Sequence, residues 1–113
     1  ATIWSVPMPR KVEFSPRAIR DLDEIWDYID KNLGNTDAAQ RIVSGIMDSI
    51  DSIAAFPKSG PKLIFEDVPE SGYRFIVYKH YMAFYRLKPD DTLYVDRIVY
   101  GRRDYMSLLF PDL

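Results

Sequence analysis

Apolar positions along the chain change their spacing from segment to segment. At the start, Lys11-Val12-Glu13-Phe14 alternates polar and apolar residues, the period-two signature of a short strand. After Ser15-Pro16 the period lengthens. Ile19, Leu22, Trp26, Ile29 and Leu33 recur at three- and four-residue steps, one stripe of an amphipathic helix that Ile25 widens. Ser15 is placed to cap this helix, because a hydroxyl can accept one of the first-turn N–H groups, and Pro16 sits where a missing N–H costs nothing. Gly34 marks the end, where a left-handed residue is wanted. A second helix follows, with Asn35, Thr36 and Asp37 as cap candidates and Gln40 in capping-box spacing from Asp37. Its buried side carries Ile42, Val43, Ile46, Ile50 and Ile53, and Phe56-Pro57 closes it, since proline disfavours helical geometry in the preceding residue. So short a connection predicts an antiparallel helix hairpin.

Pro57, Gly60, Pro61, Pro69 and Gly72 punctuate an irregular stretch, with one short extended piece expected at Leu63–Phe65. Three strands rich in aromatic and β-branched residues come next, Tyr73–Tyr78, Tyr81–Leu87 and Leu93–Tyr100. Lys79-His80 and Pro89-Asp90-Asp91 are too short to cross over a sheet, so the three strands are expected to form an antiparallel meander. Gly101 ends the last strand, and Arg102 to Phe110 is expected to form a short terminal helix or tail. The pattern gives an α+β domain: a short first strand, a helix hairpin, and a three-stranded meander completing one small sheet.

Composition narrows the function classes. Of 113 residues, 47% are hydrophobic and 28% charged, the balance of one globular domain with a core of its own. Met8-Pro9-Arg10-Lys11 reads as a natural start, so residues 1–7 are expected to be an expression remnant or disordered extension, and residues 8–113 the domain. No cysteine is present, which excludes a disulfide framework and thiol chemistry and fits a reducing cytoplasm. With one histidine besides, no metal and no cofactor is expected. No apolar run approaches the ~20 residues of a membrane span, and the acidic polar faces of the helices are unlike those of surface-seeking helices, so no membrane partner is expected.

The net charge of −2 conceals an asymmetry. Residues 1–70 carry eight Lys/Arg against twelve Asp/Glu, whereas residues 71–103 carry seven against three. The basic half contains Arg74, Lys79, His80, Arg86, Arg97, Arg102 and Arg103, with Tyr78, Tyr85, Tyr100 and Tyr105 among them. Period-two alternation should place several of these arginines on one sheet face, where guanidinium forks suit phosphate or carboxylate. The plainer reading pairs them with Asp90, Asp96, Asp104 and the acidic helix faces. His80 has the chemistry of a general base but sits in a turn without an evident carboxylate partner. Asp21, Asp23, Glu24, Asp27 and Asp30 are spaced as a solvated helix surface. There is no phosphate-binding glycine loop, nucleophile elbow or paired metal-ligand spacing.

The order of these features resembles the RelE/ParE superfamily of bacterial toxins. Ala18, Asp21, Leu22, Ile25, Tyr28 and Ile29 match the Ala-x-x-Asp-Leu-x-x-Ile-x-x-Tyr-Ile pattern of its first helix. Pro57-x-x-Gly60, Tyr73-Arg74, Phe84-Tyr85-Arg86 and Ile98-Val99-Tyr100-Gly101-Arg102-Arg103-Asp104 match later motifs in order, with Tyr100 where histidine is frequent. The resemblance spans about residues 10–110. It implies the toxin of a type II toxin–antitoxin system, bound and neutralised by a cognate antitoxin whose flexible acidic end folds on binding.

The superfamily divides by target. RelE-like members cut messenger RNA on the ribosome with a basic cluster and a late tyrosine or histidine; ParE-like members inhibit DNA gyrase by protein binding. This sequence fills the ribonuclease set poorly. Tyr73 and Phe75 stand where RelE carries lysines, Met82 where it carries an arginine, and Leu109 or Phe110 where it carries its tyrosine. A ribonuclease would have to use Arg74, Arg86 and Arg103, with Tyr105 or His80 moving protons. The resemblance therefore favours the ParE-like branch, in which no residue is an acid or base. Arg74, Lys79, Arg86, Arg97, Arg102, Arg103 and Tyr105 would then contact antitoxin or gyrase. The alternatives are a ribosome-dependent mRNA endoribonuclease and a relic that binds antitoxin without toxicity.

Overall fold

The computed structural model describes residues 11–57 and 72–101. Residues 1–7, the extended piece expected at Leu63–Phe65 and the terminal helix expected from Arg102 lie outside the described residues. Among the described residues, four strands and two helices follow in the order β1 (Val12–Phe14), α1 (Pro16–Asp27), a π-helical turn (Tyr28–Asn32), α2 (Thr36–Ala55), β2 (Arg74–Tyr78), β3 (Tyr81–Leu87) and β4 (Leu93–Tyr100). The strands form one sheet in the order β1-β4-β3-β2. The meander β2-β3-β4 is antiparallel, as its short connections require, and β1 adds to β4 in parallel after the chain has crossed the sheet through both helices.

Ser15 caps α1 by accepting from the Ala18 N–H at 2.9 Å. For α2 the cap is Asn35, whose side chain accepts from the Ala38 N–H at 3.0 Å, so the Asp37–Gln40 box is not the one used. Gly34 adopts φ +62°, the left-handed conformation expected of it. The helices pack on one sheet face. Ala18, Ile46, Ile50 and Ala54 meet Ala83, Tyr85, Leu93, Val95 and Ile98 there, all buried. Full burial of an isoleucine such as Ile46 or Ile50 contributes about 1.5–3 kcal/mol. The buried Tyr85 hydroxyl donates to the Pro57 carbonyl, tying β3 to the end of α2. At Gly45 the helix approaches β2 so closely that an added Cβ would lie 2.1 Å from the Tyr78 ring.

The stripe expected on α1 differs from the face that is buried. Ile19 is 50% and Leu33 61% exposed, while Ala18 and Asp21 are buried. The inward line runs through Ala18, Asp21, Leu22, Ile25 and Ile29, one position off Ile19. The π-helical turn then holds an extra residue, with the Leu33 N–H donating to the Tyr28 carbonyl, so Leu33 no longer continues the stripe. Asp21 was expected on a solvated face; its exposure is 4%, because it lies on this inward line.

Candidate functional site

The site begins where β1 ends. β1 pairs only with Leu93–Val95, whereas β4 continues to Tyr100. Past that point the outer edge of β4 is met by α1. The Ser15 N–H donates to the Val95 carbonyl at 2.9 Å, and the Ser15 hydroxyl donates to the Asp96 carbonyl at 2.7 Å. Nearly two turns on, Asp21 accepts the Ile98 N–H at 3.0 Å and the Arg97 guanidinium through two bonds, at 2.8 and 3.2 Å. Arg17 adds a third cationic contact at 3.3 Å.

Beyond Ile98 the helix diverges from the strand and opens a groove of about 810 Å³. Ile25, Ile29 and Ile42 form its apolar wall, Tyr28 and Leu33 its π-helical lip, and Val99, Tyr100 and Tyr81 its sheet side. Tyr28, Leu33 and Tyr100 are all exposed despite their size. Tyr81 and Tyr100 meet edge to face at 5.3 Å between ring centroids, and His80 lies 6.1 Å from Tyr100. Burial, then the neighbouring Tyr100 and Tyr28 hydroxyls, push the Tyr81 phenol above its ordinary range. Arg17, Asp21 and Glu24 line the other, charged end. The groove is thus apolar and aromatic, with one polar margin.

The cations expected to share a face are dispersed. Arg74 stands opposite Tyr85 on β2, on the helix side of the sheet. Arg86, the next residue on β3, points the other way, 3.2 Å from Asp96 and over the Tyr94 ring at 5.3 Å. Lys88 covers the same ring at 5.6 Å and bonds Glu13 at 3.2 Å. Arg97 turns to the outer edge and is engaged by Asp21. Lys79 lies 5.9 Å from the Tyr78 ring, in a turn where its φ is +54°. His80 is exposed, and among the described residues no carboxylate lies within ion-pair distance of it. Arg102, Arg103 and Tyr105 lie outside the described residues.

Burial is the main force raising the Asp96 carboxyl, opposed by Arg86 and by the Tyr73 hydroxyl, which donates to it. The Tyr73 phenol is in turn raised, chiefly by burial and then by Asp96. Glu13, part-exposed between Lys11 and Lys88, is held below the usual carboxylate range by their hydrogen bonds and charge. Among the described residues no group of three or more metal-ligating side chains is assembled, and no helix is long and apolar enough to cross a membrane.

Residue patterns did not single out the groove or the place of Leu33 at its lip, and although Asp21 and Tyr28 stand in the first-helix motif, helical spacing put Asp21 on a solvated face. The signal for Asp21 was its position three residues after Ala18: a carboxylate so placed on an inward face needs partners, and the arginines of the last strand were available.

Residues 12–105 match the family model described as the ParE toxin of the type II toxin–antitoxin system parDE. Toxin ParE1 of Mycobacterium tuberculosis is 31% identical over 97 residues, covering 86% of this chain and 95% of that protein. A chain of a chromosomal ParDE system from P. aeruginosa superposes with a TM-score of 0.68 at 20% identity, over 83% of this chain and 98% of that one. A chain of the RelBE2 toxin–antitoxin complex from M. tuberculosis superposes with a TM-score of 0.60 at 18% identity, over 82% and 99% of the two chains. At these identities the two structures share the fold.

Proposed function

The chain belongs to the ParE toxin family of type II toxin–antitoxin systems, and we propose that it acts by binding proteins: a cognate antitoxin and DNA gyrase. The observation that carries this reading is the disposition of the sheet's cations. Arg86, Lys88 and Arg97 are each engaged by a carboxylate, and Arg74 and Arg86 face opposite sides of the sheet. A ribonuclease needs several cations converging on one phosphate with an acid–base group beside them. The described sheet offers instead an open apolar groove.

In this reading the antitoxin's flexible end folds onto the groove, burying apolar side chains against Ile25, Ile29, Ile42 and the tyrosines. Its acidic residues meet Lys79, the exposed flank of Arg86, and Arg102 and Arg103. The last strand and the chain beyond Gly101 contact gyrase, and no side chain transfers a proton.

The test is a gyrase assay with purified toxin, scoring supercoiling and trapped cleaved DNA with and without antitoxin. Cleavage complexes that the antitoxin reverses are the expected result. A toxin that arrests growth, leaves gyrase untouched and cuts mRNA on ribosomes would overturn the reading. A chain that binds antitoxin but arrests nothing would be a relic.

A further inference from the structure

We propose that Asp21 is a positioning residue: its carboxylate takes the place of a strand neighbour along the outer edge of β4 and sets the direction in which the chain leaves the sheet at Gly101. β1 covers β4 only as far as Val95, yet the strand runs on to Tyr100. A backbone N–H facing outward from that stretch has no ladder partner, and in a dry site an unpaired donor is costly. The Ile98 N–H is such a donor, and Asp21 accepts it at 3.0 Å.

The same carboxylate holds the preceding residue. The Arg97 guanidinium donates to both of its oxygens, at 2.8 and 3.2 Å, so two successive residues of β4 are gripped by one buried group. Arg17, one helical turn earlier, fixes the carboxylate from its own helix at 3.3 Å. On the other side of the strand the Gly101 N–H donates to the His80 carbonyl at 2.6 Å. The end of β4 is therefore held from both flanks just before Gly101 turns with φ +71°. Arg102 and Arg103 follow immediately in sequence.

This arrangement accounts for a carboxylate at a position that packing alone would give to an apolar residue. An alanine or leucine there would leave both the Ile98 N–H and the Arg97 fork without an acceptor. The functional half of the proposal rests on the reading that the chain beyond Gly101 contacts the target. The geometric half does not.

The test compares wild type, Asp21→Ala, Asp21→Asn and Arg97→Gln in the full chain by residue-resolved amide hydrogen exchange and by gyrase inhibition. Asn keeps an oxygen for the Ile98 N–H; Ala does not. Exchange at Ile98 should accelerate by about 100-fold in Asp21→Ala relative to Ala83 and Phe84, and by under about tenfold in Asp21→Asn. Arg97→Gln should leave Ile98 protected, because Asp21 still accepts from it. If Asp21→Ala does not fold, the Asn and Gln variants decide, since Ile98 must stay protected in both. Among folded variants, Asp21→Ala should need about tenfold more toxin for half-inhibition, with Asn restoring potency to within about threefold.

Ile98 exchange in Asp21→Ala that only tracks the rest of the sheet, or Asn that protects no better than Ala, would overturn the positioning role. Full potency in a folded Asp21→Ala chain with an unprotected Ile98 would overturn its link to the target. Wild-type toxin without effect on gyrase would instead remove the proposed target, and the exchange measurements would then judge Asp21 alone.

Discussion

Asp96 and Arg97 are adjacent on β4, and each belongs to an aspartate–arginine pair, but the two pairs occupy different surroundings. Arg97 turns to the outer edge of the sheet and forks onto Asp21, with side-chain exposures of 14% and 4%. Asp96 faces the side of the sheet away from the helices and meets Arg86 through one contact at 3.2 Å, with exposures of 16% and 50%. In sequence both are an arginine and an aspartate with the right separation in the fold. In the structure, one carboxylate also carries a backbone N–H and a second arginine, while the other accepts the Tyr73 hydroxyl and shares a half-solvated guanidinium with an aromatic ring. An ion pair's weight is set by how much each partner would lose if left alone, and that depends on burial and on hydrogen bonds beyond the pair.

The largest expected effect separates the two directly. Asp21→Ala strands a buried guanidinium and the Ile98 N–H together, and a cost of about 3–5 kcal/mol is expected in urea denaturation. Asp96→Asn keeps the shape and lightens the burial of charge while weakening a part-exposed bridge, so it should stay within about 1 kcal/mol of wild type. Equal losses at the two positions would show that the edge pair holds nothing the face pair does not.

A close contact without charge calibrates that difference. Gly45→Ala would place a methyl 2.1 Å from the Tyr78 ring, so the ring must swing away or α2 must lift from β2. Overpacking of this kind costs about 1–3 kcal/mol. If Gly45→Ala destabilises as much as Asp21→Ala, any buried perturbation in this small domain is equally damaging, and the comparison of the two pairs loses its meaning. Combining Gly45→Ala with Tyr78→Ala should recover part of the loss if the ring is the obstacle, because the two residues then couple.

These contrasts also mark how far the sequence could be read. Both hairpin helices, the three meander strands and the Ser15 cap follow from period, turn residues and capping chemistry, which are local. The errors on α1 are not local. Ile19 and Leu33 satisfy helical spacing but lie off the face that meets β4, and the π-helical turn that displaces Leu33 has no signature in residue spacing. Asp21 looked like its neighbours Asp23 and Glu24 until a strand from the far end of the chain supplied Arg97 and Ile98. Alternation was expected to bring several arginines to one face, but the register places Arg74 with Tyr85 and sends Arg86 to the other side. Cross-strand register and strand bulges decide such matters, and they are properties of the pairing rather than of either strand.

Acid titration should distinguish Asp96 from Glu13 by sign. Burial raises the Asp96 carboxyl above its ordinary 3.8. Its contribution to stability is therefore fully present below that value and lost as pH rises through the folded-state value. Glu13 is lowered from its ordinary 4.5 by Lys11 and Lys88, so its contribution is present above 4.5 and lost as pH falls. In chemical denaturation across the acidic range, Asp96→Asn should gain on wild type as pH climbs from 3.8, whereas Glu13→Gln should lose ground as pH climbs to 4.5 and hold level above it. Parallel trends would mean that Asp96 behaves as another surface carboxylate.

The smallest effect concerns salt. Added electrolyte contracts the screening length from about 10 Å at 0.1 M to about 3 Å at 1 M, but screening acts through the solvent that reaches the charges. Arg86 is half exposed beside Asp96, so whatever the bridge contributes should fade over that range, and the gap between wild type and Arg86→Gln should shrink by a few tenths of a kcal/mol. The Asp21–Arg97 fork excludes the ions that would screen it, and the gap between wild type and Arg97→Gln should hold constant. Measured together at low and high salt, the two glutamine variants ask whether the boundary between edge and face is electrostatic. If both gaps shrink alike, solvent reaches Asp21, and the carboxylate that closes the edge of β4 is less buried than its contacts require.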